Sequence, residues 1–286
     1  MPTIPLSLRP LLLGTALFGA AALPAGAATV QKAVYGVYPL AAHGTLDLSN
    51  VNGSITIETW DRADVEVRAD KIVKSSSDDE ANKVLARLKV IVDAQPNLLR
   101  VEARFPKHHG GLASWLSGRA VQSVKVEFRV RIPREADLRI ENVNGGIHLA
   151  GGKGILRLTT INGSVETTGA AGTLTLESVN GGITAQGTRG SLEASTVNGR
   201  IEAELADLGT GKTVLDSTNG GITLRLPASA RANLSASTVN GRVRCDLDVA
   251  GTTKRTKVQG TLNGGGAEIE VGTVNGSIDI EALAAR

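Results

Sequence analysis

Carboxylates, histidines and tryptophans are the residues here with chemistry to offer, and their spacing decides what that chemistry is. Four residues after the Asn of successive Asn-Gly dipeptides stand Thr56, His148, Glu166, Thr184, Glu202, Thr223, Arg244 and Asp279. A glycan-cleaving enzyme needs two carboxyl groups converging on one bond. Glu166 and Glu202 lie two repeat units apart, about 9–10 Å at a strand spacing of about 4.8 Å. They read as charges on a solvated sheet rather than an acid–base pair, so no catalytic residue is assigned. His108 and His109 are neighbours, and adjacent side chains rarely ligate one metal. The Gly-rich corners lack the Asp of calcium-binding β-rolls, so neither metal nor cofactor is expected.

Two places suit binding better. Trp60, beside Asp61, Asp64 and Glu66, either stacks on a sugar ring or packs at a strand end. The stretch 106–119 reads as an exposed loop in which Lys107, His108, His109 and Trp115 stand with Leu112 and Leu116. Cys245 is the single cysteine and reads as a small apolar residue in a strand. The formal charge of +3 is thin and interspersed, and no phosphate loop or basic-aromatic surface appears, so nucleic acid is not an expected partner.

The elements that position these residues come from a repeat. Asn-Gly occurs at Asn52, Asn144, Asn162, Asn180, Asn198, Asn219, Asn240, Asn263 and Asn275, usually after Val or Ile. From Asn144 the spacings are 18, 18, 18, 21 and 21 residues. Three residues after each Asn stands Ile or Val, as at Ile55, Ile147, Val165 and Ile183. Six before it stands Leu or Ile, with Thr213 the exception; two before it stands Asn, Ser or Thr. Lys257 and Gly266 occupy the apolar columns of Asn263, which is therefore a loop. In Leu174-Thr-Leu176-Glu-Ser-Val179, Leu and Val alternate with polar residues, and Ile183-Thr-Ala185 does so again; such alternation marks half-buried strands. Asn-Gly is expected to supply a corner with positive φ.

Asn-Gly between alternating strands also suits a long antiparallel meander. A solenoid explains better why equivalent corners keep the same residue, because Asn144, Asn162, Asn180, Asn198, Asn219, Asn240 and Asn275 can then form an amide ladder. With aromatics at 2% of the chain, the core must be narrow and built of small and β-branched residues. The expected fold is all-β: a right-handed single-stranded β-helix, regular over 141–286. Residues 28–140 form its N-terminal β part, with strand-like runs at Ser54–Glu58, Val65–Ile72, Leu98–Arg104 and Val121–Ile132. An inserted helix near 78–93 caps one end or flank: Ser77 caps it, acids at 78–80 suit its dipole, and Val84, Leu85, Leu88 and Ile91 or Val92 form its apolar stripe.

Residues 1–27 carry Arg9, an apolar stretch from Leu11, no acidic residue, and Ala25-Gly26-Ala27 at the end. This pattern reads as a cleaved secretory signal. No later run is apolar enough to span a bilayer.

The stretch Val51-Asn-Gly-Ser-Ile-Thr-Ile-Glu-Thr-Trp60-Asp61, followed by Val65-Glu-Val67, resembles the opening of the bacterial putative-adhesin family, a β-strand-repeat domain of unknown function. The helix and then Val130-Arg-Ile-Pro133-Arg-Glu-Ala-Asp-Leu138 resemble its middle, and Val-Asn-Gly-x-Ile its repeats. The resemblance covers about residues 35–282. It implies a right-handed β-helix outside the cytoplasm and no known catalytic residues, with some members tied to envelope stress. The expected function is an exported, non-enzymatic binding or scaffold protein of the periplasm or cell surface, with an envelope protein or glycan as partner. The alternatives are a carbohydrate-active β-helix enzyme with an unrecognised carboxylate site and a self-assembling structural protein.

Overall fold

The computed structural model describes residues 28–106, 121–209 and 211–283. The signal read in residues 1–27 lies outside this range, as do residues 107–119 of the expected loop.

Strand pairing falls into two stacks that share one buried core. The first stack is built from the strands that lead into each Asn. These are β2 (Thr45–Asn52), β8 (Asp137–Asn144), β10 (Lys153–Asn162), β12 (Ala171–Asn180), the second half of β13 (Ile183–Asn198), β15 (Lys212–Asn219), β17 (Ala232–Asn240) and β21 (Ala267–Asn275). The second is built from the strands that leave each Gly: β3 (Ile55–Trp60), β9 (Ile147–Ala150), β11 (Val165–Thr168), the first half of β13, β14 (Ile201–Asp207), β16 (Ile222–Leu226), β18 (Val243–Cys245) and β22 (Ile278–Ala282). Within each stack these strands pair in parallel, with Asn162 level with Asn144 and Asn180, and Val165 level with Ile147 and Ile183. A meander would pair them antiparallel; the fold is a β-solenoid.

Side chains at even steps before each Asn point inward, so Leu156, Leu158 and Thr160 are fully buried while Arg157 is exposed. The facing strands contribute Ile147, Val165, Ile183, Ile201, Ile222 and Ile278 to the same core. The middle of the solenoid is narrow enough that Ala185, Ala194, Ala203 and Ala236 fill it. Phe128, near the N-terminal end, is the largest of the fully buried side chains.

Most corner glycines are required by close approach rather than by backbone angle. Among the corners of the Asn ladder only Gly53 (φ 123°) and Gly145 (φ 143°) are left-handed, so the expectation of positive φ fails at the other ladder corners. At those, a Cβ would strike the carbonyl oxygen of the glycine stacked beneath it: Gly181 would sit 2.0 Å from Gly163 O and Gly199 2.1 Å from Gly181 O. Positive φ belongs instead to a second Gly-containing corner, reached after the strand that leaves the Asn-Gly, at Gly151, Gly169, Gly187 and Gly190.

Coil order departs from chain order at both ends. The pairs β6 (Leu98–Arg104) and β7 (Val121–Pro133) lie outside β2 and β3, although they follow them in sequence. Beyond them, β5 (Lys89–Gln95) pairs antiparallel with β6, β4 (Asp64–Ser75) with β7, and β1 (Ala28–Pro39) with β4. At the other end, β21 and β22 enter between the coil of β15 and β16 and the coil of β17 and β18. An antiparallel hairpin of β19 (Val249–Lys254) and β20 (Lys257–Leu262) covers β17. Asn263 lies in the turn after β20, as its failing columns implied, with φ 49°.

The helix α1 spans Asp78–Arg87, not 78–93. Ser77 caps it, accepting from the Glu80 amide, and Ala81, Val84 and Leu85 are its buried face. Its expected second half is β5, because Val90, Ile91 and Val92 are β-branched and register against β6 gives their backbone a ladder. From β4, the buried Lys71 Nζ donates to Leu88 O (3.0 Å) and Leu85 O (3.4 Å), closing the helix C-terminus. Burial, with Lys32 nearby, lowers the Lys71 pKa. Asp70, also buried, is neutralised by Arg68 (3.1 Å) and Arg129 (3.0 Å).

Two glycines separate the roles of space and angle. Gly169→Ala meets no neighbour within 4 Å but must hold φ +66°, and should cost about 1–2 kcal/mol. Gly181→Ala collides with stacked backbone and should cost about 3 kcal/mol or more. Urea denaturation of the two variants measures the difference; equal losses would refute the stacking argument.

Candidate functional site

Each Asn-Gly corner carries two stacked hydrogen-bond columns, one outside and one inside. Outside, each Asn amide donates to the next Asn carbonyl oxygen: Asn144 to Asn52 (2.7 Å), Asn162 to Asn144 (2.8 Å), Asn180 to Asn162, Asn198 to Asn180 and Asn219 to Asn198 (2.9 Å each). The ladder then runs to Asn275 and last to Asn240 (2.8 Å each). Inside, the small polar residue two before each Asn bonds the carbonyl of the adjacent corner glycine. Thr160 donates to Gly145 O (3.1 Å), and Ser178, Thr196 and Thr273 to Gly163, Gly181 and Gly220 O (2.9 Å each). These are buried acceptors that the glycine-only contact creates, and the hydroxyl column satisfies them.

This inner column corrects the reading of Leu174 through Val179. Period-two alternation continues through Leu174, Leu176 and Ser178, so Val179 points outward and is 40% exposed. Its equivalents do the same: Ile161 44%, Val197 42%, Val274 43% and Val239 70% exposed. With Thr218 in the gap, they form an apolar ridge along the solenoid, one side chain per coil. Exposed apolar side chains are ordinary singly; a contiguous row is not. The signal was the Val or Ile before Asn-Gly, whose direction an apolar label alone does not reveal.

Beside the ridge runs an open groove of about 620 Å³, lined by Val197, Val239 and Val274, by Ser195 and Ser237, and by Asp216. A second depression of about 330 Å³ lies further along the same side, between Val51, Val143 and Ile161 and the carboxylates Glu102 and Glu141. Asp216 lies over the bare Gly272, where its Oδ1 fills the space a Cβ would need. Partial desolvation raises its pKa, and the negative charges of Glu270 and Glu193 raise it further. Lys212 answers this acidity from the same face, 3.0 Å from Glu270.

The expected carboxylate column lies on the opposite stack. Glu166 and Glu202 are separated by Thr184, as their spacing implied. Glu166 is held by His148 (3.0 Å) and Ser164 (3.3 Å), and Glu202 by Arg200 (3.8 Å). Trp60 is half-buried at the end of β3: its Nε1 donates to Asp64 O (2.8 Å), and the Arg62 guanidinium sits 4.4 Å over its ring. One face of the indole is thus already taken, although a depression of about 380 Å³ with His43 and Glu135 adjoins it. Among the described residues, Trp60, His43 and His148 all lie away from the groove; Lys107, His108, His109 and Trp115 fall outside the described residues. Cys245 is half-buried, and desolvation raises its thiol pKa.

The model of one protein family, Toastrack DUF4097, matches residues 136–281, half of the chain. The chain belongs to the Toastrack family. The putative-adhesin wording that the Val-Asn-Gly-x-Ile repeats suggested recurs among solved structures resembling this Toastrack chain. One is a putative cell adhesion protein from Clostridium sporogenes ATCC 15579, at 14% identity over 89% of this chain and 100% of that one, with a TM-score of 0.40. Another is a putative adhesin from Bacteroides fragilis NCTC 9343, at 13% identity over 88% and 97%, with a TM-score of 0.35. No curated protein matches.

The groove's electrostatics are testable without a ligand. A carboxyl whose folded pKa is raised is destabilising once ionised, so its contribution worsens as pH climbs from the ordinary carboxylate value through the raised one. Asp216→Asn should therefore stabilise the protein at neutral pH, and the gain should vanish below the ordinary carboxylate range. Denaturation midpoints at the two pH extremes decide it; an advantage that does not depend on pH would contradict the assignment.

Proposed function

We propose that this chain is an exported, non-enzymatic binding or scaffold protein of the cell envelope, at work in the periplasm or at the cell surface. The observation that carries the reading is the ridge with its groove: a line of outward Ile and Val side chains one residue wide, interrupted at Thr218 and flanked by hydroxyls and carboxylates. Such a surface suits an extended envelope protein or glycan that meets the same chemistry at each step. The paired charges support binding over catalysis, since Glu102 and Glu141 beside the second depression, and Asp47 and Glu281, are each held by an arginine. Residues 1–27 support export through their signal-like pattern. We read the winding as right-handed, the hand that parallel crossover connections adopt.

The test is retention on isolated cell-wall and outer-surface fractions. Val179→Lys with Val197→Lys places two charges in the ridge while leaving core and ladder untouched. Binding should fall about tenfold, a loss of about 1.4 kcal/mol, with the thermal midpoint nearly unchanged. Equal retention of variant and parent would sink the ridge as the contact surface. Release of reducing ends from a polysaccharide panel would sink the non-enzymatic reading.

A further inference from the structure

The last coil of the chain is not the last coil of the solenoid. Strand β21 pairs with β15 on one side and β17 on the other, and β22 pairs with β16 and β18. Asn275 donates to Asn219 and accepts from Asn240, both at 2.8 Å. Thr273 bonds Gly220 O, and Gly276 O accepts from Thr238. Ile269, Val271, Ile278 and Ile280 are buried between the two flanking coils.

The chain reaches this slot by a sharp crossover. Strand β20 lies outside β17 and β21 inside it, so residues 263–266 must pass around the N-terminal end of β17. Asn263 takes φ 49° there, Gly264 and Gly265 both φ 84°, and Asn263 Nδ2 anchors the turn to Ala228 O (3.0 Å) and Ala230 O (2.8 Å). The contacts that hold the last coil are those every coil makes. Nothing in them depends on which molecule supplies the segment.

We propose that the gap between the coil of Asn219 and the coil of Asn240 is a strand-insertion site. It takes Ala267–Ala282 either from its own chain or from a second copy, giving a reciprocally exchanged dimer. The choice is made during folding. In the finished protein the segment is hydrogen-bonded on both sides, and withdrawing it breaks two ladders at once. During folding, the short crossover gives closure within one chain an effective concentration of about millimolar. A second copy competes when chains are crowded or when the crossover is disfavoured.

Cys245 supplies the readout, because it lies level with Ile280 on the neighbouring strand. In full-length Ile280→Cys, the two thiols stand on adjacent paired strands, a separation a disulfide spans. The protein is unfolded, refolded at about 1 µM and at about 500 µM, concentrations chosen to lie well below and close to the millimolar closure value. It is then oxidised and run on a non-reducing gel. Dilute refolding should give monomer with an internal disulfide; concentrated refolding should give covalent dimer that persists on dilution. Concentrating native monomer should give none, nor should the Cys245→Ser control. Adding Gly264→Val, which strains only the crossover, should raise the dimer fraction several-fold at each concentration. For folding of the parent sequence itself, light scattering after concentrated refolding should show dimer that survives dilution. Internally linked monomer under all conditions, or a dimer that separates without reductant, overturns the proposal.

Discussion

Neighbouring strands of a sheet lie about 4.8 Å apart, and in this solenoid that spacing holds at the corners as well as along the strands. A corner that keeps the strand spacing brings backbone onto backbone, so the residue after each Asn has no room for a Cβ. The rest of the corner answers that approach. Glycine carbonyls turned into the stack need donors, and the Ser or Thr column supplies them from within. The Asn amides, held level on the outside, bond each other in one direction along the axis. Remove the close approach and neither column has a reason to exist.

The same constraint shapes the core. Two stacks drawn together at tight corners leave a thin interior, which explains the scarcity of aromatics and the alanines at its middle. Stability then comes from repetition, as each coil buries a few aliphatic side chains against its two neighbours. The ends are where such an arrangement is weakest. Here both are dealt with by order: an early coil and the last coil are each placed one step in from the edge, so that the outermost positions go to segments tied down by hairpins, by α1 and by the Lys71 clasp.

The outward ridge is a by-product of the corner. The residue before each Asn cannot point inward, because the hydroxyl before it already does. A β-branched side chain is thus displayed at every coil, at a period the backbone dictates. Asp216 and its acidic neighbours then distinguish one stretch of the groove from the rest.

The sequence by itself determined the repeat, the identity of the corner residues and the inward Leu and Ile columns, because each coil sees nearly the same surroundings and local pattern equals tertiary environment. It also determined the N-terminus of α1, where Ser77 and three acids act locally. It misplaced the end of that helix, since whether Val90-Ile91-Val92 continues a helix or joins a ladder depends on β6. It assigned Asn-Gly to backbone angle, whereas contact between stacked neighbouring coils sets the need for glycine at most corners. And it could not show that Asn275 stands between Asn219 and Asn240. Identical repeats are interchangeable in any local reading, so their order in space was decided only by the tertiary structure.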